Sequence, residues 1–131
     1  MSIFQGFNIN ASGLTAQRFR TDVISENIAN VKTTRTQDGT PYRRQVVTFA
    51  EKDITNFSNV LQNTRNAAVG NGVKVYSLKE DTESDFIKTY DPSHPDADEN
   101  GYVSYPNVNI ITEMTNLIDA SRSYEANATA F

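Results

Sequence analysis

Residues 107–131, NVNIITEMTNLIDASRSYEANATAF, decide the fold. Within them Ile110, Met114, Leu117, Ser121, Tyr124, Ala128 and Phe131 alternate steps of four and three. That spacing keeps one stripe of a helix turned toward a partner helix. The stripe runs to the last residue with no stop signal, and an apolar seam of that length is not left in water. It predicts a partner: the helix at the other end of the chain, or the same helices of neighbouring copies. Pro106 stands just before the helix, and Asn107 or Asn109 supplies its N-cap.

The other end matches it. Residues 3–30 read as an amphipathic helix with Ile3, Phe7, Ala11, Leu14, Ile24 and Ile28 at near-helical spacing. Gly13 inside it costs roughly 1 kcal/mol relative to Ala. Its simplest explanation is close approach of another backbone. The helix is expected to stop near Asn30, since Asn tolerates the left-handed conformation used just past a helix end. Phe4 and Phe7 belong to a packing seam rather than a membrane-seated face, because the polar face carries few positive charges.

The middle has a different texture. Residues 31–44 form a polar turn region in which Asp38-Gly39 is a strong turn dipeptide. Gln45 to Phe49 is β-rich and reads as a strand. Residues 51–72 hold Asn, Gln and Thr, end in Gly70-Asn71-Gly72 and read as a flexible excursion, with a short helix around Phe57 to Leu61. Val73, Val75 and Ser77 alternate with Lys74 and Tyr76 as in a strand. Asp85 to Tyr90 reads as the next strand, hairpinned to the previous one through Glu80–Ser84. Residues 91–101 are a Pro-punctuated acidic loop, and Tyr102 to Tyr105 a short extended piece.

Composition bounds function. The 131 residues fit one domain, or one small domain with helical extensions. There is no Cys, hence no disulfide and no thiolate metal site. That suits a protein that crosses an oxidising space. No apolar run approaches the roughly 18 residues that span a bilayer, and the start lacks the basic and long apolar regions of a signal peptide. The expectation is a chain that stays in the cytoplasm or leaves by a route that cleaves nothing. Net charge is −4 but unevenly placed. Arg18, Arg20, Lys32, Arg35, Arg43 and Arg44 lie in the first third, and Glu80 to Glu99 is acidic. Either these are two solvated faces, or opposite patches of neighbouring copies attract head to tail.

Material for chemistry is scarce. The sole histidine, His94, lies among Asp91, Asp96 and Asp98, a weak pattern for a metal and an ordinary one for a solvated loop. Asp96-Ala97-Asp98-Glu99-Asn100-Gly101 opens like a calcium loop, but its twelfth position is Asn107 where a bidentate Glu belongs. An Asx-type turn is the expected structure. Without Cys and with one loop His, a nucleophilic triad has no parts. Gly70-Asn71-Gly72 is a turn and not a phosphate loop. A negative net charge without a broad basic stripe argues against nucleic acid. No cofactor, metal or small-molecule substrate is expected.

Three segments together resemble the flagellar axial proteins, the family that builds the bacterial rod and hook. They are Ser12-Gly13-Leu14-Thr15-Ala16-Gln17 running into Asn27-Ile28-Ala29-Asn30; Thr33-Thr34-Arg35 with Gly39-Thr40-Pro41-Tyr42-Arg43-Arg44; and Pro106-Asn107-Val108-Asn109 followed by Glu113-Met114 and Ser121-Arg122-Ser123-Tyr124-Glu125-Ala126-Asn127. The Thr33–Arg44 segment resembles the family's Ala-Asn-x-x-Thr-x-Gly-Tyr signature with extra residues before the Tyr. The loop from Tyr90-Asp91-Pro92 through Pro95-Asp96-Ala97-Asp98 to Gly101-Tyr102-Val103 is similar to that of a proximal-rod member. Such members continue the C-terminal helix for several more turns, so the resemblance implies a chain truncated at Phe131.

The resemblance implies a structural subunit of the proximal rod of the basal body, outside the cytoplasm, exported by the flagellar apparatus without signal cleavage. Its partners are then other copies of itself, related rod proteins and that export apparatus. The fold expected is α+β: long N- and C-terminal helices pairing as an antiparallel coiled coil, with a small β-rich middle. The segments are 1–30, 31–106 and 107–131. The assembly interface is expected at Phe7, Ala11, Leu14, Asn27, Ile28, Asn30, Tyr42, Ile110, Met114, Leu117, Tyr124 and Phe131. The alternatives are another axial protein of rod or hook type, or a soluble metal- or ligand-binding module using the Asp91–Glu99 loop.

Overall fold

A computed structural model describes residues 3–52 and 71–131. Its elements are helix α1 (Ile3–Ala29), strands β1 (Gln45–Glu51), β2 (Val73–Glu80), β3 (Ile87–Tyr90) and β4 (Tyr102–Tyr105), and helix α2 (Ile110–Ala130). The architecture is α+β, with β1 paired to β2 and β3 to β4 in two separate two-stranded sheets. The short helix around Phe57 to Leu61, and most of the excursion expected over 51–72, lie outside the described residues.

The chain divides into two compact units, one of residues 1–21, 47–77 and 119–131, the other of 22–46 and 78–118. In the first, the two terminal helices pack antiparallel. Phe7 meets Phe131 with ring centroids 5.2 Å apart, Gly13 faces Asn127, and Arg20 reaches Asp119 at 3.0 Å. Rising numbers on α1 meet falling numbers on α2. Ala16 and Ala120 are buried here. The Ser12 hydroxyl donates to the Ile9 carbonyl at 2.6 Å and accepts the Val73 N–H at 3.0 Å, tying the start of β2 to α1. Gly72, at φ +96°, is the residue that lets the chain come this close. What presses on Gly13 is the side-chain amide of Asn127 and not a second backbone, as the sequence suggested.

The second unit buries Val23, Ile24, Val103 and Val108. Its hairpin pairs Ile87 with Tyr105, Lys88 with Ser104, Thr89 with Val103 and Tyr90 with Tyr102. The expected hairpin of β2 with the 85–90 strand does not form, and local hydrogen bonding explains why. The Asp81 N–H closes the β1–β2 pairing on the Arg44 carbonyl at 2.8 Å. The Asp81 carboxylate then accepts the N–H groups of Glu83 and Ser84, both at 3.1 Å, which turns the chain out of that ladder. The Ser84 N–H first, then the Ser84 hydroxyl, and after them the Glu83 N–H and the Arg44 charge hold the Asp81 carboxyl below its ordinary range.

The acidic loop is the β3–β4 connection. Asp98 Oδ1 accepts the N–H of Asn100 at 2.9 Å and of Tyr102 at 2.8 Å, an Asx-type turn as the sequence implies. Gly39 takes φ +79° in the turn at Asp38-Gly39. Asn109 and not Asn107 caps α2, its Oδ1 accepting the N–H groups of Ile111 at 3.0 Å and Thr112 at 3.3 Å. The end of α1 departs from expectation. No described non-glycine residue has positive φ, so Asn30 is not left-handed. Its backbone N–H still donates to the Glu26 carbonyl at 3.1 Å, joined there by its side-chain Nδ2 at 2.9 Å, and the helix ends where Val31 closes a tighter turn on Ile28 at 3.2 Å.

Candidate assembly site

The second unit is held by a buried polar latch. Asn27, 1% exposed, accepts the Tyr42 hydroxyl at 2.7 Å and the Gln45 N–H at 3.0 Å, and donates to the Gln45 carbonyl at 3.0 Å. An amide matches this demand because it carries an acceptor and donors on one planar group. Burial, then the charges of Glu26, Glu113 and Glu80, push the Tyr42 hydroxyl up to about 12. Tyr42 thus stays a neutral donor to Asn27. Asn30 joins the same turn, its Oδ1 accepting the Thr33 hydroxyl at 3.1 Å.

Beside this lies an ion pair that sequence reasoning missed. Arg44 Nε donates to Glu113 Oε1, and Glu113 is 1% exposed. Its other carboxylate oxygen is buried without a hydrogen-bond partner. The neighbouring Asn107 accepts the Arg44 N–H at 2.8 Å and donates to the carbonyls of Asp81 at 3.0 Å and Ser84 at 3.2 Å. Asn107 therefore fastens the approach to α2 onto the ends of β1 and β2. The available signal was a carboxylate in the first turns of α2, between apolar Ile110 and Leu117. A charge reads by default as a solvated face.

The apolar stripe of α2 does not coincide with the face each unit buries. Glu113 and Ala120 are buried, and Leu117, Ser123 and Asn127 are half-buried. Of the expected interface residues, Ile110, Met114, Tyr124 and Phe131 are exposed, as are Ile111 and Ile118. On α1, Phe7, Ala11, Leu14 and Ile28 are half-buried, while the buried residues are Ser12, Ala16, Val23, Ile24 and Asn27. Apart from Val23 and Ile24, the inward faces of the two helices carry small or polar side chains and the buried Glu113, and several large apolar groups remain on the surface. Spacing alone pointed to the heavier stripe and so missed Ser12 and Ala16. The structure brings Phe7 to Phe131 and Asn27 to Tyr42.

The acidic loop is occupied by its own contacts. His94 Nδ1 accepts the Asp96 N–H at 3.0 Å. The Asp96 carboxylate accepts the Thr34 hydroxyl at 2.7 Å and pairs with Arg35 at 2.6 Å. The Thr34 bond first, and then the Arg35 charge, hold the Asp96 carboxyl below its ordinary range. Among the described residues, no three His, Asp or Glu side chains are grouped to hold a metal. No described helix is long and apolar enough to cross a membrane.

Two family models match the chain's ends: "Flagella basal body rod protein" over residues 7–36 and "Flagellar basal body rod FlgEFG protein C-terminal" over residues 99–131. Curated relatives match nearly all of it. The flagellar basal-body rod protein FlgC of Borreliella burgdorferi is 47% identical, covering 98% of this chain and 88% of the relative. FlgC of Bacillus subtilis is 46% identical over 99% and 89% respectively, and FlgC of Salmonella typhimurium 39% over 97% and 86%.

Proposed function

The chain belongs to the FlgC family of flagellar basal-body rod proteins, and from that premise we propose that it builds the proximal rod by packing its terminal helices against neighbouring subunits. The observation that carries this reading is the exposed apolar face of α2. Burying such surface is worth about 25 cal/mol per Å², and packing between helices of adjacent subunits is the way a rod subunit gains it. The role is structural, without catalysis or cofactor.

The partners are other rod components, further copies of this chain among them. The export apparatus of the flagellum carries the chain out of the cytoplasm. Among the described residues the buried apolar side chains are Ala16, Val23, Ile24, Val103, Val108 and Ala120, with no aromatic ring among them.

The test is incorporation. A host lacking its own FlgC is complemented with the tagged chain, and basal bodies are purified. The tag co-purifies with the rod, and motility returns. Secreted chain absent from basal bodies would refute the role.

A further inference from the structure

We infer that Asn100 is a latent deamidation site, kept inert in the folded chain by Asp98 and released when the β3–β4 hairpin opens. The inference is independent of the rod-subunit reading.

An Asn followed by Gly is prone to this reaction because glycine leaves its backbone nitrogen unhindered. The Gly101 nitrogen loses its proton to hydroxide and attacks Cγ of Asn100. The new N–C bond closes a five-membered succinimide, and the side-chain nitrogen takes a proton from water and leaves as ammonia. Water then opens the ring at either carbonyl. One opening gives aspartate. The other gives isoaspartate, whose main chain runs through the former side chain and is longer by one carbon.

Both reacting groups are present, and the fold keeps them apart. Asn100 is exposed, whereas Gly101 is buried. Asp98 holds three consecutive N–H groups. Its Oδ1 accepts those of Asn100 at 2.9 Å and Tyr102 at 2.8 Å, and its carbonyl accepts that of Gly101 at 3.0 Å. The attacking nitrogen is therefore bonded and shielded from hydroxide. On the other side of the same residue, the Gly101 carbonyl accepts the Asp91 N–H at 2.8 Å. A peptide held at both ends does not rotate to bring its nitrogen onto Cγ.

The turn cannot shed the hazard by replacing the glycine. Gly101 has φ +82°, and a Cβ added there would lie 3.0 Å from Cε2 of Tyr90 and 3.1 Å from Cγ of Pro92. The conformation that demands glycine thus carries the reactive pair with it, and Asp98 supplies the protection. Opening of the hairpin gives up the Asp98 bonds. Reaction then makes the opening permanent in the isoaspartyl product, because a main chain one carbon longer cannot present residues 100–102 to Asp98 in register.

The experiment follows deamidation of the purified full chain at mildly alkaline pH, folded and in urea. Peptide mapping by mass spectrometry separates Asn100 from Asn71-Gly72, the other Asn-Gly pair of the sequence. Asn100 reacts at least about tenfold more slowly in the folded chain than in the unfolded one. Asp98→Ala removes two of the three bonds and speeds the reaction of the folded protein by about tenfold or more. Asp98→Asn keeps an acceptor at Oδ1 and stays within about twofold of wild type. Circular dichroism establishes that both variants fold. If Asp98→Ala does not, wild type at urea concentrations below its unfolding transition takes its place, and deamidation at Asn100 then rises in parallel with hydrogen exchange of the Gly101 amide.

Equal rates at Asn100 in folded and unfolded chain overturn the inference. So does Asp98→Ala reacting no faster than wild type, or deamidation that fails to follow Gly101 exchange. Asp98→Asn reacting as fast as Asp98→Ala overturns it too, since protection would then come from the carboxylate charge and not from the bonds.

Discussion

A Cβ added to Gly13 would lie 2.9 Å from Oδ1 of Asn127, closer than real Cβ atoms come to anything. Asn127 is itself held by its Nδ2, which donates to the Ser123 carbonyl at 2.9 Å. Alanine at position 13 gains roughly 1 kcal/mol of helix propensity but must displace that amide. Gly13→Ala is therefore expected to leave stability within about 0.5 kcal/mol of wild type. In an Asn127→Ala background the same change should stabilise by about 1 kcal/mol. Urea unfolding of the four proteins measures the coupling. Additive effects would mean that the two side chains do not compete for space.

Asn27 should be the most sensitive polar position of the second unit. Asn27→Ala strands the Tyr42 hydroxyl and both backbone groups of Gln45. Each buried polar group left unpaired costs about 1–3 kcal/mol. Tyr42→Phe removes one donor and leaves Asn27 bound to Gln45, so it should cost about 1 kcal/mol. Equal losses from the two variants would show that the network is not centred on the amide.

The helices were legible because their periods are long and redundant, and one misread residue does not erase a pattern repeated over many turns. The partner of β3 was not. Alternation marks a strand and is silent about which strand it joins; here the choice depends on Asp81 and Asn107, which meet across 26 residues of sequence. The inward face of α2 was hidden for another reason. Apolar weight lies on the stripe through Ile110, Met114 and Tyr124, while the face packed within the chain uses Ala120, Asn127 and a buried Glu113. The family motif nonetheless singled out Asn27 and Tyr42, whose bond only the structure displays.

Alkaline pH should weaken the fold through Tyr42. Its hydroxyl is raised from 10.0 to about 12 in the folded chain. Between these values the unfolded chain loses the proton and the folded chain keeps it. Stability is then fully present below about pH 10 and declines as pH rises toward 12. Tyr42→Phe should flatten that limb of the stability curve. A decline of the same slope in the variant would assign it to other groups.

Arg44 and Glu113 should be strongly non-additive. Arg44→Met leaves the Glu113 carboxylate, 1% exposed, without its counter-charge, which costs about 3–5 kcal/mol. Glu113→Leu removes the buried charge together with the oxygen that has no partner, while half-buried Arg44 retains access to water. The double variant should therefore be more stable than Arg44→Met alone by at least about 2 kcal/mol. Denaturant unfolding at neutral pH measures this, and added salt at about 0.5 M should scarcely change it, because a buried pair is poorly screened. A double variant no more stable than Arg44→Met would mean that the pair supplies packing which leucine and methionine cannot replace.

Leu117 and Ile111 should separate folding from assembly. Leu117 is half-buried, on the edge between the inward face of α2 and its apolar stripe, whereas Ile111 is exposed. Leu117→Asp places a charge where water reaches poorly, so it should lower stability by about 2–4 kcal/mol and also prevent rod incorporation. Ile111→Asp leaves its charge in water and should change stability by no more than about 0.5 kcal/mol, yet it should impair incorporation just as much if the exposed stripe is the surface neighbours cover. Unfolding of the purified proteins and recovery in basal bodies from complemented cells give the two readouts side by side. Normal incorporation of Ile111→Asp would place the contacting surface elsewhere on the helix, since no loss of folding could then be masking the result.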